Sequence, residues 1–142
     1  MIENITNIEL SNEKFRILFE LSPLGMAMLE QETGKFLEVN QSLLNSLNYS
    51  KEEFLSLSFY DITPNEYEEQ EKQQIKDLES TGKFGPNEKE YIKKDGTRYP
   101  IIISGFSFTD SNNKKVVWGI IEDITEKKQY EIIYNDNKNL LE

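Results

Sequence analysis

The sequence predicts a single α+β domain with an antiparallel β-sheet. The chain has 142 residues, a length that suits one domain. Segments with the alternating pattern of strands lie on both sides of a helical middle region. The segment Lys94-Asp95-Gly96-Thr97 lies between two of these segments and is typical of a hairpin turn, which joins antiparallel strands.

The first half of the chain predicts, in order, a helix over residues 11–21, strands over 24–30 and 36–39, and short helices over 41–47 and 51–57. Pro23 ends the first helix, because the residue before a proline avoids the helical conformation. Asn40 is a favourable N-cap for the helix that follows it, and Ser50 with Glu53 forms a capping box for the next.

The second half predicts, in order, a helix over residues 64–80, strands over 88–93, 98–108 and 116–123, and a final helix from Thr125 onwards. Thr63 and Glu66 form a capping box for the first of these helices. Glu71 and Gln74 fall on its apolar stripe, so we expect this helix to be held loosely at the surface. Pro100 predicts a bulge in its strand, since proline cannot donate to a ladder.

The final helix has the spacing of a coiled coil. Its a and d positions are occupied by Tyr130, Ile133, Asn137 and Leu140. The segment over residues 126–142 is therefore expected to be the start of a coiled-coil linker.

Composition excludes several classes of function. The chain has no Cys and no His, so disulfides, Cys/His metal sites, Cys nucleophiles and His bases are excluded. The adjacent carboxylates Glu52-Glu53 and Glu68-Glu69 lie on solvated helix faces, where acid–base catalysis is not expected. We therefore predict no catalytic residue and no metal site, and a regulatory module rather than an enzyme.

The charge and hydropathy of the chain limit its partners and location. A net charge of −10 argues against binding to nucleic acid or to anionic membrane surfaces. No apolar run approaches the ~20 residues of a membrane-spanning helix, and no signal peptide is visible at the N-terminus. A cytoplasmic location without direct membrane contact is expected.

Five short motifs occur in order along the chain: Leu21-Ser22-Pro23-Leu24-Gly25, Phe36-Leu37-Glu38-Val39-Asn40, Tyr49-Ser50-Lys51-Glu52-Glu53, Lys94-Asp95-Gly96-Thr97, and Glu122-Asp123-Ile124-Thr125-Glu126-Lys127-Lys128. Together, over about residues 11–127, they resemble the PAS domain family. The resemblance implies a five-stranded antiparallel sheet with short helices on one face. It further implies an N-terminal capping and dimerisation helix in residues 1–22, a core in residues 23–125 and a C-terminal signalling helix from residue 126.

The resemblance also implies a set of side chains between the sheet and the helices. These are Ala27, Leu29, Leu43, Leu47, Phe59, Tyr67, Phe84, Tyr91, Ile101, Ile103 and Ile121. Because the set is nearly all apolar and neither Arg16 nor Arg98 points towards it, a close-packed core is favoured over a ligand pocket. Tyr67 and Tyr91 would supply the hydroxyl groups of a pocket.

Two further sets have roles that the resemblance implies. Asp123, Ile124 and Thr125 lie where the last strand meets the final helix, so they are candidates for signal transmission. On the opposite face of the sheet, a capping or dimer interface is expected from Phe15, Leu18, Phe19, Trp118 and Ile120.

No cofactor is expected. Without Cys, a covalent flavin adduct and a thioester-linked chromophore are disfavoured, and without His so is a His-ligated haem. The function implied is a sensory domain that passes a signal through the C-terminal helix to an output domain such as a histidine kinase or diguanylate cyclase. Its implied partners are a second copy of the chain, in a homodimer, and an unidentified small molecule. The alternative is a ligand-free dimerisation or spacer module that mediates protein–protein contacts.

Overall fold

The computed structural model describes the backbone of residues 2–141 and the side chains of residues 9–140. Its helices are α1 (Ile2–Leu21), α2 (Gln41–Leu47), α3 (Lys51–Phe54), α4 (Glu68–Thr81) and α5 (Thr125–Leu141), and its strands are β1 (Gly25–Glu30), β2 (Phe36–Val39), β3 (Lys83–Ile92), β4 (Arg98–Thr109) and β5 (Lys115–Asp123). Two 3-10 turns, Phe59–Ile62 and Asn65–Tyr67, lie between α3 and α4. The outermost residues of the two predicted terminal segments, Met1 and Glu142, lie outside the described residues.

The five strands form one antiparallel sheet in the order β2-β1-β5-β4-β3. Helices α2, α3 and α4 cover one face of this sheet, and the main hydrophobic core lies between them and the strands. The α+β class and the five-stranded antiparallel sheet expected from the sequence are confirmed. The strand that ends at the last helix, β5, lies at the centre of the sheet, and β3 forms one edge.

Asn40 connects three parts of the chain around the start of α2. Its side-chain amide donates to the carbonyl oxygens of Phe19 (2.8 Å) and Leu24 (2.9 Å). Its side-chain oxygen accepts from the backbone N–H groups of Met26 (2.9 Å) and Leu43 (3.2 Å). The residue thus caps α2, as the sequence predicted, and also ties the end of α1 to the start of β1.

The predicted capping box of α3 is present, with hydrogen bonds in both directions between Ser50 and Glu53. Lys94, beside the β3–β4 turn, adds an ion pair of 2.6 Å to Glu53. Hydrogen bonds from Lys94 and Ser50 lower the pKa of Glu53 to about 2. The ion pair thereby links the β3–β4 turn to α3 across the surface.

Several predicted limits differ from the structure. Helix α1 begins at Ile2 rather than at residue 11, since no helix breaker separates the two positions, and α3 ends at Phe54 rather than near Leu57. Helix α4 begins only at Glu68, because Pro64 is itself extended and Asn65–Tyr67 form a 3-10 turn. The Thr63 hydroxyl donates to the carbonyl of Phe59 instead of capping a helix.

The third strand also differs from its prediction. It begins at Lys83, five positions before the predicted start at residue 88. The bulge expected at Pro100 is not there, since Pro100 lies directly opposite Glu90 in the ladder. The register shift occurs instead between Phe84 and Asn87 of β3. The Pro100 carbonyl accepts the N–H of Ile124, so Pro100 also joins the sheet to the start of α5.

The opposite face of the sheet is partly covered by α1. The rings of Phe15 and Phe19 meet the Trp118 ring of β5 edge-on, with centroids 5.2 Å and 5.8 Å away. Trp118 also stacks on Phe106 of β4 at 5.9 Å. These aromatic contacts dock α1 on the sheet. Over residues 2–141, no helix is long and apolar enough to cross a membrane.

Candidate functional site

A cavity of about 60 Å³ lies between α4 and the inner face of the sheet. Its lining comes from α4, from the 3-10 turn before it, and from four of the five strands, and comprises Leu29, Gln31, Phe59, Tyr60, Glu71, Gln74, Ile75, Leu78, Phe84, Lys89, Tyr91, Ile103, Val117 and Gly119. Such a volume holds on the order of four to six water molecules or non-hydrogen ligand atoms. The close-packed core favoured by the sequence therefore has an internal space on its α4 side.

Three buried polar side chains face one another in this lining. Lys89 of β3 is only 3% exposed, and Glu71 and Gln74 of α4 are 7% and 6% exposed. Glu71, Gln74 and Leu78 are spaced to share one face of the helix, and this face packs against β3. Gln70 secures the packing by donating to the carbonyl of Glu88 at 2.9 Å. Helix α4 thus packs on β3 through a face that includes polar side chains, and its loose attachment stays a prediction.

The Lys89 ammonium lies among aromatic rings, 5.5 Å from the centre of Tyr91 and 5.9 Å from that of Phe59. Burial lowers its pKa to about 8, and the carboxyl of Glu71 acts in the opposite direction. Burial likewise raises the pKa of Glu71, with Lys89 opposing the shift. Burial also raises the pKa of the Tyr91 phenol. In all three groups the leading cause of the shift is the same, because burial disfavours the charged form.

Five of the residues proposed from the sequence line this cavity: Leu29, Phe59, Phe84, Tyr91 and Ile103. Another five are buried in the hydrophobic core away from it: Ala27, Leu43, Leu47, Ile101 and Ile121. Tyr67 does not reach the cavity, because it precedes α4 and its hydroxyl donates to Glu90 at 3.2 Å. The main difference between this lining and the set expected from the sequence is the presence of the polar side chains Glu71, Gln74 and Lys89.

Sequence reasoning missed Lys89, Glu71 and Gln74 as parts of a site. Lys89 precedes Tyr91 by two positions, so strand alternation places both side chains on the same face, and this signal was available. Glu71 and Gln74 were recognised on the inner stripe of their helix but interpreted as a weakness. Their proximity to Lys89 depends on how α4 packs on β3, which the local pattern does not contain.

The candidate signalling residues form the junction of β5 and α5. One carboxyl oxygen of Asp123 accepts from the N–H of Thr125 (2.9 Å) and from its hydroxyl (2.6 Å), so Asp123 caps the helix. Ile124 is buried, and its N–H donates to Pro100 at 3.1 Å. One turn later, Lys128 pairs with Glu88 of β3 at 3.1 Å. The base of α5 is thus fastened to β3 and β4.

The candidate interface residues divide into two groups. Phe15, Phe19 and Trp118 pack together, and Ile120 is half-buried on the same face of the sheet. Leu18 does not join them, because it is 72% exposed and turned away from the sheet. It instead borders an open apolar groove with Ile17, Leu21 and Met26.

A five-stranded antiparallel sheet that carries a cavity on its helical face and continues into a helix places the chain in the α+β class of domains. The profile of the PAS domain matches residues 23–126, which is more than half of the chain. The chain belongs to the PAS domain family. PAS domains are sensory modules and are not themselves catalytic.

Two curated proteins and one solved structure illustrate the similarity. The chain is 29% identical over 134 residues to the methyl sulfide methyltransferase-associated sensor of Methanosarcina acetivorans, covering 93% of this chain and 13% of that protein. It is 32% identical over 140 residues to the probable diguanylate cyclase DgcE of Escherichia coli, covering 96% and 12%. A PAS domain from Colwellia psychrerythraea superposes with a TM-score of 0.71 at 20% identity, covering 80% of this chain and 97% of that one. The chain thus corresponds to a small part of its curated relatives, which take part in sensing and signal transduction.

Proposed function

We propose that this PAS domain is the sensory input of a signalling protein, and that occupancy of its cavity is relayed through α5 to an output domain such as a histidine kinase or diguanylate cyclase. The position of β5 carries the proposal. Val117 and Gly119 of this strand line the cavity, and the same strand ends at the Asp123 cap of α5. A displacement of β5 at the cavity therefore reaches the output helix within the same strand.

A second connection runs through the edge strand β3. Lys89 lines the cavity, and the adjacent Glu88 holds Lys128 of α5 on the other side of the strand. A single strand thus contacts both the cavity and the output helix. An edge strand is hydrogen-bonded to only one neighbour, so it can move more readily than a central one.

The same geometry supports a domain that works without a large cofactor. Pockets for drug-sized molecules have volumes of roughly 300–1,000 Å³, well above the 60 Å³ of this cavity. Flavin and haem each contain tens of non-hydrogen atoms and belong to the larger class. We propose that this domain uses neither group, and a cytoplasmic location remains part of the proposal.

Filling the cavity from β5 tests the relay. The α-carbon of Gly119 has room for a side chain, because a Cβ there would meet its nearest neighbour, the Ile121 side chain, at 3.6 Å. In Gly119→Val the added methyl groups enter the cavity from β5, beside the side chain of Ile121, and take up space that a ligand would occupy. We expect the first two turns of α5 to exchange their amide hydrogens at least about threefold faster, as measured by hydrogen–deuterium exchange with mass spectrometry.

Ile120→Val provides the matched control, since Ile120 neighbours Gly119 on β5 but faces the other side of the sheet. Its exchange in α5 should equal that of the unmodified chain. If amide exchange in α5 of Gly119→Val also equalled that of the unmodified chain, filling the cavity would have no effect on α5. That result would reject the relay and favour the spacer module.

We also propose that the domain forms a homodimer through the outer face of α1. Exposed apolar side chains on this face are Ile17, Leu18 and Leu21, and they border a groove of about 420 Å³. Helix α5 exposes a second apolar set, which comprises Tyr130, Ile132, Ile133, Tyr134 and Leu140. Residues Tyr130, Ile133 and Leu140 have coiled-coil spacing, so parallel pairing of the two α5 helices would extend the same dimer.

Leu18→Glu is expected to weaken this dimer at least tenfold, because it places a charge at the centre of the apolar face. Sedimentation equilibrium measures the dissociation constant. Folding should be preserved, since Leu18 makes little contact within the domain. Asn12→Glu, at an exposed position about 120° around the same helix from Leu18, is the control and should leave dimerisation unchanged. Equal dimerisation of both variants would remove α1 from the interface.

A further inference from the structure

The polar groups of the cavity are incompletely paired with protein atoms. Among the described residues, the Lys89 ammonium has no carboxylate within 4.0 Å and donates no hydrogen bond to another side chain or backbone group. The side-chain oxygen of Gln74 is buried and lacks a hydrogen-bond partner in the same region. A cation that donates and an amide oxygen that accepts are therefore both available to a bound molecule.

The charge balance of the site favours an uncharged ligand. When Glu71 is ionised, its carboxylate and the Lys89 ammonium are one negative and one positive group in the lining of the same cavity, and they form no ion pair with each other. A bound anion would place two negative groups beside one ammonium in a site removed from water, and a bound cation would do the reverse. An uncharged molecule leaves the existing pair of charges balanced.

The ligand must both accept and donate hydrogen bonds within a short distance. Lys89 can only donate, whereas the Gln74 oxygen and an ionised Glu71 can only accept. A hydroxyl group satisfies both requirements, since its oxygen accepts from the ammonium while its hydrogen points to an oxygen of α4. The rest of the wall is apolar, with Leu78, Phe84 and Ile103 available to contact a short carbon chain.

We propose that the cavity binds one small uncharged alcohol or diol, with a hydroxyl group held between Lys89 and the Glu71–Gln74 face of α4. This inference rests on the proposed sensory function and names the ligand class of that site. The 60 Å³ volume sets the size at about four to six non-hydrogen atoms. A ligand of this size reaches millimolar affinity, because binding free energy is limited by the number of its atoms.

Titration of the intact chain with 1,2-propanediol, followed by amide NMR, tests the proposal. We expect saturable shifts at residues of α4 and β3, with a dissociation constant in the millimolar range. Propanoate, an anion of equal heavy-atom number, should bind at least tenfold more weakly. Tighter binding of propanoate, or the absence of saturation by the diol up to ~100 mM, would overturn the assignment.

Paired substitutions on α4 separate a built site from weak general association. Gln74→Leu should raise the dissociation constant of 1,2-propanediol about tenfold, because it removes an acceptor inside the cavity. Gln73→Leu makes the same change at an exposed neighbouring position and should have no effect. Lys89→Met should weaken binding at least as much as Gln74→Leu. Equal affinity for all three variants would mean an adventitious additive only and would refute the proposal.

The ligand class and the sensory function can fail separately. Hydrogen exchange of α5 that is unchanged by saturating 1,2-propanediol, alongside specific binding, would retain the ligand class and reject the relay. Tighter binding of propanoate together with altered exchange in α5 would reject the ligand class and retain the sensory function.

Discussion

Replacing Asn40 by alanine is expected to lower the free energy of unfolding by about 3–5 kcal/mol. The side chain is fully buried and makes four hydrogen bonds to the backbone of α1, the α1–β1 connection, β1 and α2. Alanine would leave these backbone groups without their partner, and several of them lie where water enters poorly. Urea denaturation followed by circular dichroism measures the change.

Asn45→Ala is the matched control for this prediction. Asn45 lies on the exposed side of α2 and accepts only from Gln41, at 2.8 Å. Its replacement should change the free energy of unfolding by less than about 0.5 kcal/mol, as is usual for surface substitutions. A similarly small effect at Asn40 would show that α1, the α1–β1 connection, β1 and α2 are held together by apolar packing alone.

The buried ammonium of Lys89 is expected to destabilise the fold at neutral pH. In a Glu71→Gln background, which removes the facing carboxyl, Lys89→Met should raise the free energy of unfolding by about 3 kcal/mol at pH 7. With Glu71 present, the pKa of Lys89 falls from 10.5 to about 8 on folding, and Glu71→Gln removes an interaction that raises it, so in both backgrounds the folded chain holds this proton less tightly than the unfolded chain. The penalty is therefore complete below the pKa of the folded chain and disappears as the pH rises towards 10.5.

The difference in stability between Glu71→Gln and Glu71→Gln/Lys89→Met, measured by urea denaturation from pH 7 to pH 10.5, checks this prediction. Tyrosines titrate in both proteins and cancel in the difference. Lys83→Met in the same background is the control, because Lys83 lies exposed on the same strand. A difference that stays constant with pH would show that Lys89 keeps an ordinary affinity for its proton.

Local signals in the sequence predicted the order of elements and most of their limits. The Asn40 cap, the Ser50–Glu53 box and the Asp95-Gly96 turn each depend on residues close in the chain, and each has its expected role. Helix α4 was misplaced at its start because Thr63 is a favourable N-cap residue whose hydroxyl is used elsewhere. The Thr63 hydroxyl binds Phe59, and that contact depends on the turn before the helix.

The site was harder to predict because it arises between elements that are distant in the chain. The aspect that was predictable is strand alternation, which places Phe84, Tyr91 and Ile103 on the inner face. The cavity itself results from imperfect packing between α4 and the strands, and no single segment determines that fit. Polar residues on the inner face of a helix therefore indicate a site only when a polar residue of another element, such as Lys89, is expected to lie opposite them.

Helix α5 acts mechanically as a lever with its fulcrum at Ile124. Its 17 residues extend about 25 Å, and only its base is fastened to the sheet. A tilt of about 10° at the fulcrum would displace the far end by roughly 4 Å, a shift comparable to those that rearrange helix interfaces. A movement of β3 or β5 that is too small to disturb the hydrophobic core would thus produce a larger displacement at the far end of α5.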